Sequence, residues 1–190
     1  MLDARSPLAV KIVEDNPHAY EMLVVEGGTP KRAKELLEGV KANQLLAGVV
    51  KSAADADAML AGVWLWHDGL EECHRIVQNS PDGEAGRTYS FWHAIMHRRE
   101  GDFSNSKYWY ARAAGHQALA TLAGSVGALV NRAPADKSLL RLVANGWNPN
   151  AFVDFVESVS ADEADVRYPI AVQLQQMEWR VLWEHCAREA

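Results

Sequence analysis

The stretch Ala53-Ala54-Asp55-Ala56-Asp57-Ala58-Met59-Leu60-Ala61-Gly62-Val63-Trp64-Leu65-Trp66-His67-Asp68 decides the fold class. It has the length of a helix, and its apolar side chains fall nearly all round the helical circumference. Such a helix must be buried on more than one side, so other elements have to pack around it. The segments on either side repeat at a helical spacing too. Thr29-Pro30 predicts a helix start, threonine as N-cap and proline in the first turn, leading into Lys31 to Gly39. Leu70 to Asn79 continues the central helix or follows a kink at Gly69. Ser80-Pro81-Asp82-Gly83 is a turn signal, with the polar stretch to Arg87 expected as a surface loop.

Farther along, Thr88 to Glu100 is the next expected helix, followed by a turn at Gly101-Asp102. Ser104 is the expected N-cap of a helix running to about Ala114. His116 to Asn131 is helical in pattern, with Gly124 and Gly127 lowering its propensity. Pro134 to Asn145 is amphipathic and is expected to stop at Gly146. Asn148-Pro149 opens a short helix to about Val159, and Tyr168 to Glu189 is a long closing helix. Val24-Val25 is too short for a strand and is cut off by Gly27-Gly28. The expectation is an all-α protein, residues 1–190 as a single domain of roughly eight helices packed as antiparallel hairpins. A shift of 33 residues lays Leu70-Glu71-Glu72-Cys73 on Phe103-Ser104-Asn105-Ser106, a weak tetratricopeptide-like relation between the two helical hairpins of residues 55–114.

Composition narrows the function classes. With 48% hydrophobic and 23% charged residues in 190, the chain is neither disordered nor fibrous. Nineteen basic against 25 acidic residues leave a net charge of −6, a poor match for a phosphate backbone, so nucleic acid is not the expected partner. Met1 to Pro7 has no basic stretch running into an apolar core, and the longest apolar run, Ala58 to Trp66, is far too short to cross a bilayer. The expectation is a soluble, cytoplasmic protein without a membrane partner, its two cysteines Cys73 and Cys186 reduced. The expected partner is a small molecule.

Chemistry concentrates in residues 64–109. This quarter of the chain holds Trp64, Trp66, Trp92 and Trp109 of seven tryptophans, and His67, His74, His93 and His97 of seven histidines. An even spread would place roughly two of each there. At 100° per residue, His93, His97 and Glu100 share one helix face bordering the apolar sector of Phe91, Trp92, Ile95 and Met96. Glu71, His74 and Gln78 share a face of the preceding helix, and His67 lies in the sector of Met59, Leu60 and Val63. Arg99 also falls in an apolar sector, where a guanidinium needs a carboxylate or a ligand anion.

Glu71-x-x-His74 has the spacing used on inward helix faces by carboxylate-bridged di-iron bundles, although the second such motif is missing. His93-x-x-x-His97 sets two imidazoles one turn apart, as zinc and iron ligands are. His67, Glu71, His74, His93 and His97 are therefore the candidate ligands of a first-row divalent metal, zinc, iron or manganese. Glu71, His93, His97, Arg98, Arg99 and Glu100 are candidate catalytic groups. Trp66, Trp92, Asn105, Lys107 and Trp109 are candidate substrate contacts, with Arg98 or Arg99 and Lys107 gripping an anion. This points to an enzyme, metal-assisted, acting on a small polar or anionic molecule. Two other readings stay open: a helical-repeat module that binds a protein partner, and a metal-free pocket for a small ligand. For any single residue a hydrogen-bonded or ion-paired structural role is the common one. Several such groups buried together favour function.

The segments Trp64-Leu65-Trp66-His67-Asp68-Gly69-Leu70-Glu71-Glu72-Cys73-His74 and Trp92-His93-Ala94-Ile95-Met96-His97-Arg98-Arg99-Glu100-Gly101-Asp102, on through Asn105, Lys107 and Trp109, are similar to a family of uncharacterised bacterial and fungal proteins that carry this pair of motifs. The resemblance implies that this window is the family's distinguishing feature, and it assigns no role to any residue.

Overall fold

The computed structural model describes residues 4–130 and 137–190. Among them are ten α-helices and no strand: α1 (Pro7–Glu14), α2 (Lys31–Leu37), α3 (Ala53–Trp66), α4 (Leu70–Val77), α5 (Gly83–Arg99), α6 (Phe103–Arg112), α7 (Gln117–Val130), α8 (Lys137–Val143), α9 (Pro149–Val159) and α10 (Tyr168–Glu189). A 3-10 turn occupies Ala42–Leu45. The all-α expectation holds, and α3–α4 and α5–α6 pack in series, α4 against α5, with α10 lying across α3.

Several element boundaries differ from the sequence expectation, each for a local reason. Helix α1 has little length to show a period, yet its start is built from Ser6, whose hydroxyl accepts from the Ala9 amide, and Pro7. Thr29 is not a helix cap. Pro30 holds the N-cap position of α2, and the Thr29 hydroxyl donates to Glu72 on α4 instead. Helix α5 begins at Gly83 and not Thr88, since Glu84 and Arg87 pair across its first turn. Asp102, not Ser104, caps α6 by accepting from the Asn105 amide. Helices α3 and α4 are separate: Asp68 adopts φ +60°, and a side chain at Gly69 would lie 2.7 Å from the Trp64 ring. The helix expected from Pro134 is described from Lys137 and ends at Val143; residues 131–136 lie outside the described residues.

The core is aromatic where α3, α5 and α10 meet. Trp179 stacks on Trp183 at 5.0 Å and packs tilted against Trp66 at 4.3 Å, and its indole N–H donates to the Gly62 carbonyl at 2.7 Å. Gly62 is the seat for this packing. A Cβ there would lie 2.6 Å from the Trp92 ring and 3.1 Å from Trp183. Trp66 and Trp92, expected as substrate contacts, are therefore packing residues. Trp66 also donates to the Val13 carbonyl at 2.9 Å and stacks on Tyr20. Trp92 is fully buried against Gly62.

Arg98 and Arg99, expected in catalysis or anion binding, are both fully buried, and the terminal nitrogens of both engage protein groups. Arg98 pairs with Glu178 of α10 at 2.5 Å and donates to the Tyr110 hydroxyl, which itself donates to Glu178 at 2.7 Å. Arg99 pairs with Asp68 at 2.8 Å, donates to the carbonyls of Leu65 and Met22, and lies 4.0 Å over the Tyr20 ring. Lys107 pairs with Asp154 of α9. Arg98 and Arg99 are thus enclosed by protein partners, while the Lys107 pair lies at the surface.

Gly62→Ala carries a prediction with an unusual sign. Alanine in a helix interior normally stabilises by up to about 1 kcal/mol. Here the overpacked Trp92 contact reverses that, and the variant should lose about 1–3 kcal/mol in urea unfolding. A gain in midpoint would refute the aromatic seat.

Candidate metal centre

Three histidines converge where α4 and α5 meet. Residues 93 and 97 are one turn apart on α5, so their rings run nearly parallel, 4.8 Å between centroids. His74, from α4, stands edge-on to both, at 4.8 Å from His93 and 5.7 Å from His97. One nitrogen from each ring falls within 4.8 Å of the other two. Tetrahedral zinc with Zn–N bonds of about 2.1 Å needs nitrogens about 3.4 Å apart, so small side-chain adjustments close the triangle.

Each ring has a different environment. His93 is 3% exposed, and Trp109 stacks on it at 3.8 Å. Its Nδ1 is buried with no hydrogen-bond partner among the described residues. Burial first, then the neighbouring His97 and His74, hold its pKa down to about 3, so it is a neutral donor at physiological pH. His97 Nδ1 lies 2.8 Å from Glu100 Oε1, and its Nε2 lies 3.0 Å from the Asn105 amide nitrogen. The carboxylate can only accept, so the Nδ1 contact places a proton on Nδ1 facing Glu100. Carboxylate–histidine pairing of this kind orients metal-bound imidazoles.

His67 does not join them. It closes α3, and its Nε2 donates to the Ile12 carbonyl at 3.0 Å, a satisfied buried imidazole on the far side of the α3–α4 junction. Glu71 stands on the rim, largely exposed, with Arg75 at 3.5 Å. Asn105 and Trp109 reach the cluster by touching His97 and His93, not by lining open space. A second donor group, His97, Glu100 and Asp102, adjoins the first; Asp102 there already accepts from the Asn105 amide and the Ser104 hydroxyl.

A cavity of about 360 Å³ opens beside the imidazoles, lined by His74, Glu71, Glu100, Leu70, Met96 and the segment Val25, Gly27, Gly28 and Thr29. That segment is pinned at both ends, by Val25 N–H to the Arg99 carbonyl and by Thr29 to Glu72. Sequence reasoning missed this wall. Gly27-Gly28 has no strand before it, and only tertiary contacts place it here. A hollow of about 480 Å³ between residues 46–51 and the end of α10 is lined by no histidine and no acidic side chain.

No protein-family model, curated protein or solved structure matches the chain.

Burial also depresses the pKa of His116, to about 4, and lowers those of His67 and His185. In each case the unfolded chain takes up a proton as the pH falls through about 6.5, and the folded chain does so only at lower pH, near 4 for His116. Their contribution is therefore complete above that pH and is lost as the pH falls through 6.5 toward 4. Metal-free protein should lose about 1 kcal/mol for each of His93 and His116 between pH 7.5 and pH 5, after allowance for solvent screening. Urea midpoints read at the two pH values test this; unchanged stability would mean that the rings are open to water.

Proposed function

We propose that the protein is a metal-dependent enzyme. In this reading His74, His93 and His97 hold one divalent first-row ion, zinc ahead of iron or manganese, and the substrate is a small polar molecule admitted through the adjoining cavity. The single observation that carries the reading is His93. An unpartnered, buried ring nitrogen costs about 1–3 kcal/mol, and this ring belongs to a cluster of three imidazoles that each bring one nitrogen within 4.8 Å of the others.

Three protein ligands leave a position open, the arrangement of catalytic rather than structural zinc. An ion there supplies a water acidified to near neutrality. Glu100 is the positioning residue for His97, turning Nε2 toward the ion by holding Nδ1–H. Glu71, on the cavity wall with only the exposed Arg75 against it, faces the substrate. The paired motifs at 64–74 and 92–109 mark this site. The anion-gripping role falls away, because Arg98, Arg99 and Lys107 are consumed in ion pairs with Glu178, Asp68 and Asp154.

Elemental analysis of untagged protein and a zinc titration test the reading. One equivalent of metal is expected, lost in His74→Ala and His93→Ala. Glu100→Ala should weaken zinc by about 10- to 100-fold through the loose imidazole. Asn105→Ala should tighten it, since the amide that occupies Nε2 is gone. Folded protein that takes up none of zinc, iron or manganese on reconstitution would overturn the proposal.

A further inference from the structure

The cavity beside the histidines has a sign, and it is not the one its arginine-rich neighbourhood suggests. The polar side chains facing it are Glu71, Glu100, His74 and Thr29. The Thr29 hydroxyl is already donated to Glu72. No lysine or arginine lines it. Arg75 holds Glu71 at 3.5 Å and Glu72 at 3.2 Å from outside, facing the neighbouring hollow of Trp64 and Lys34. Arg98 and Arg99 point into the core, away from this space.

We infer that the molecule admitted here carries a protonated amine, held by Glu71 and Glu100, on a short aliphatic body, and is not a carboxylate or phosphate. This rests on reading the cavity as the substrate's place. A carboxylate entering would meet two carboxylates with no cation among the lining residues. A primary ammonium brings three donors to acceptors that have capacity to spare. Leu70, Met96 and Val25 give the body apolar contact, and Gly27-Gly28 let the backbone come close. Of the three imidazoles only His74 lines the cavity, with the buried His93 ring edge-on to it at 4.8 Å. With a divalent ion on the histidines, two positive charges meet two negative ones. The ion then takes a neutral donor atom of the substrate and the carboxylates take the amine.

Methyl-labelled methionine provides a readout separate from activity, because Met96 lies on the cavity wall. Its resonance is assigned with Met96→Leu. Butylammonium, butyramide and butyrate are then titrated into the full chain at neutral pH, with and without one equivalent of zinc. Butylammonium should shift the Met96 signal saturably, and Glu71→Gln or Glu100→Gln should weaken it on the order of tenfold or more. Glu71 is exposed enough for its amide variant to fold normally. Butyrate or butyramide binding as tightly as butylammonium, no shift from any probe, or an unchanged Glu71→Gln would overturn the inference. If the protein takes no zinc but still selects the ammonium, only the metal reading fails. If zinc binds and the anion is preferred, only this inference fails.

Discussion

A guanidinium cannot discharge inside a protein, so wherever one is buried the surrounding chain must be arranged around it. Two occur in succession at the end of α5, and their opposite directions organise the molecule. Arg98 reaches Glu178 and Tyr110, tying α5 to α10 and α6. Arg99 reaches Asp68 and the carbonyls of Leu65 and Met22, tying α5 to the α3–α4 junction and to the coil near residue 22. That coil is further satisfied by Gln175, whose amide donates to the Tyr20 and Met22 carbonyls. A buried pair of this kind adds little net stability against an apolar replacement, but removing one partner is severe. Its effect is to leave one docking angle for α5, and α5 carries His93 and His97.

From that fixed helix the two faces diverge. Trp92 enters the aromatic seat at Gly62, while the next residue, 100° round, is His93 against Trp109. His93 and His97 are thus held by the packed core, and His74 beside them opens toward the cavity. A site needs rigid support and access together, and the boundary between core and rim supplies both.

Much of the helical architecture was legible because amphipathic period and cap chemistry are local. The face shared by His93, His97 and Glu100 was legible for the same reason, and so was the inward direction of His74. What sequence alone could not resolve was allocation. Arg98, Arg99 and Lys107 read as anion ligands because their partners, Glu178, Asp68 and Asp154, lie up to 80 residues away. His67 was grouped with the other histidines by proximity in the chain, yet its hydrogen bond is to Ile12, 55 residues earlier. The cavity wall at Gly27-Gly28 has no local signature. Helical periodicity tells which side chains leave solvent; it does not tell which of them meet.

The Asn105 amide at His97 Nε2 raises a physical question: a cluster already closed by hydrogen bonds has less need of an ion. Magnitudes decide it. Releasing one amide-to-imidazole hydrogen bond costs a net ~0.5–1.5 kcal/mol, since water replaces it. Zinc on protein nitrogen and sulfur ligands returns roughly ten times that. His93, neutral and without a partner, asks no proton to leave before it binds. In the proposed site Asn105 would therefore weaken the ion modestly, while an amide donating to Nε2 goes with a proton on Nδ1 against Glu100, the tautomer that an ion on Nε2 would need. The same contact would both compete with the ion and favour its ligand's binding form.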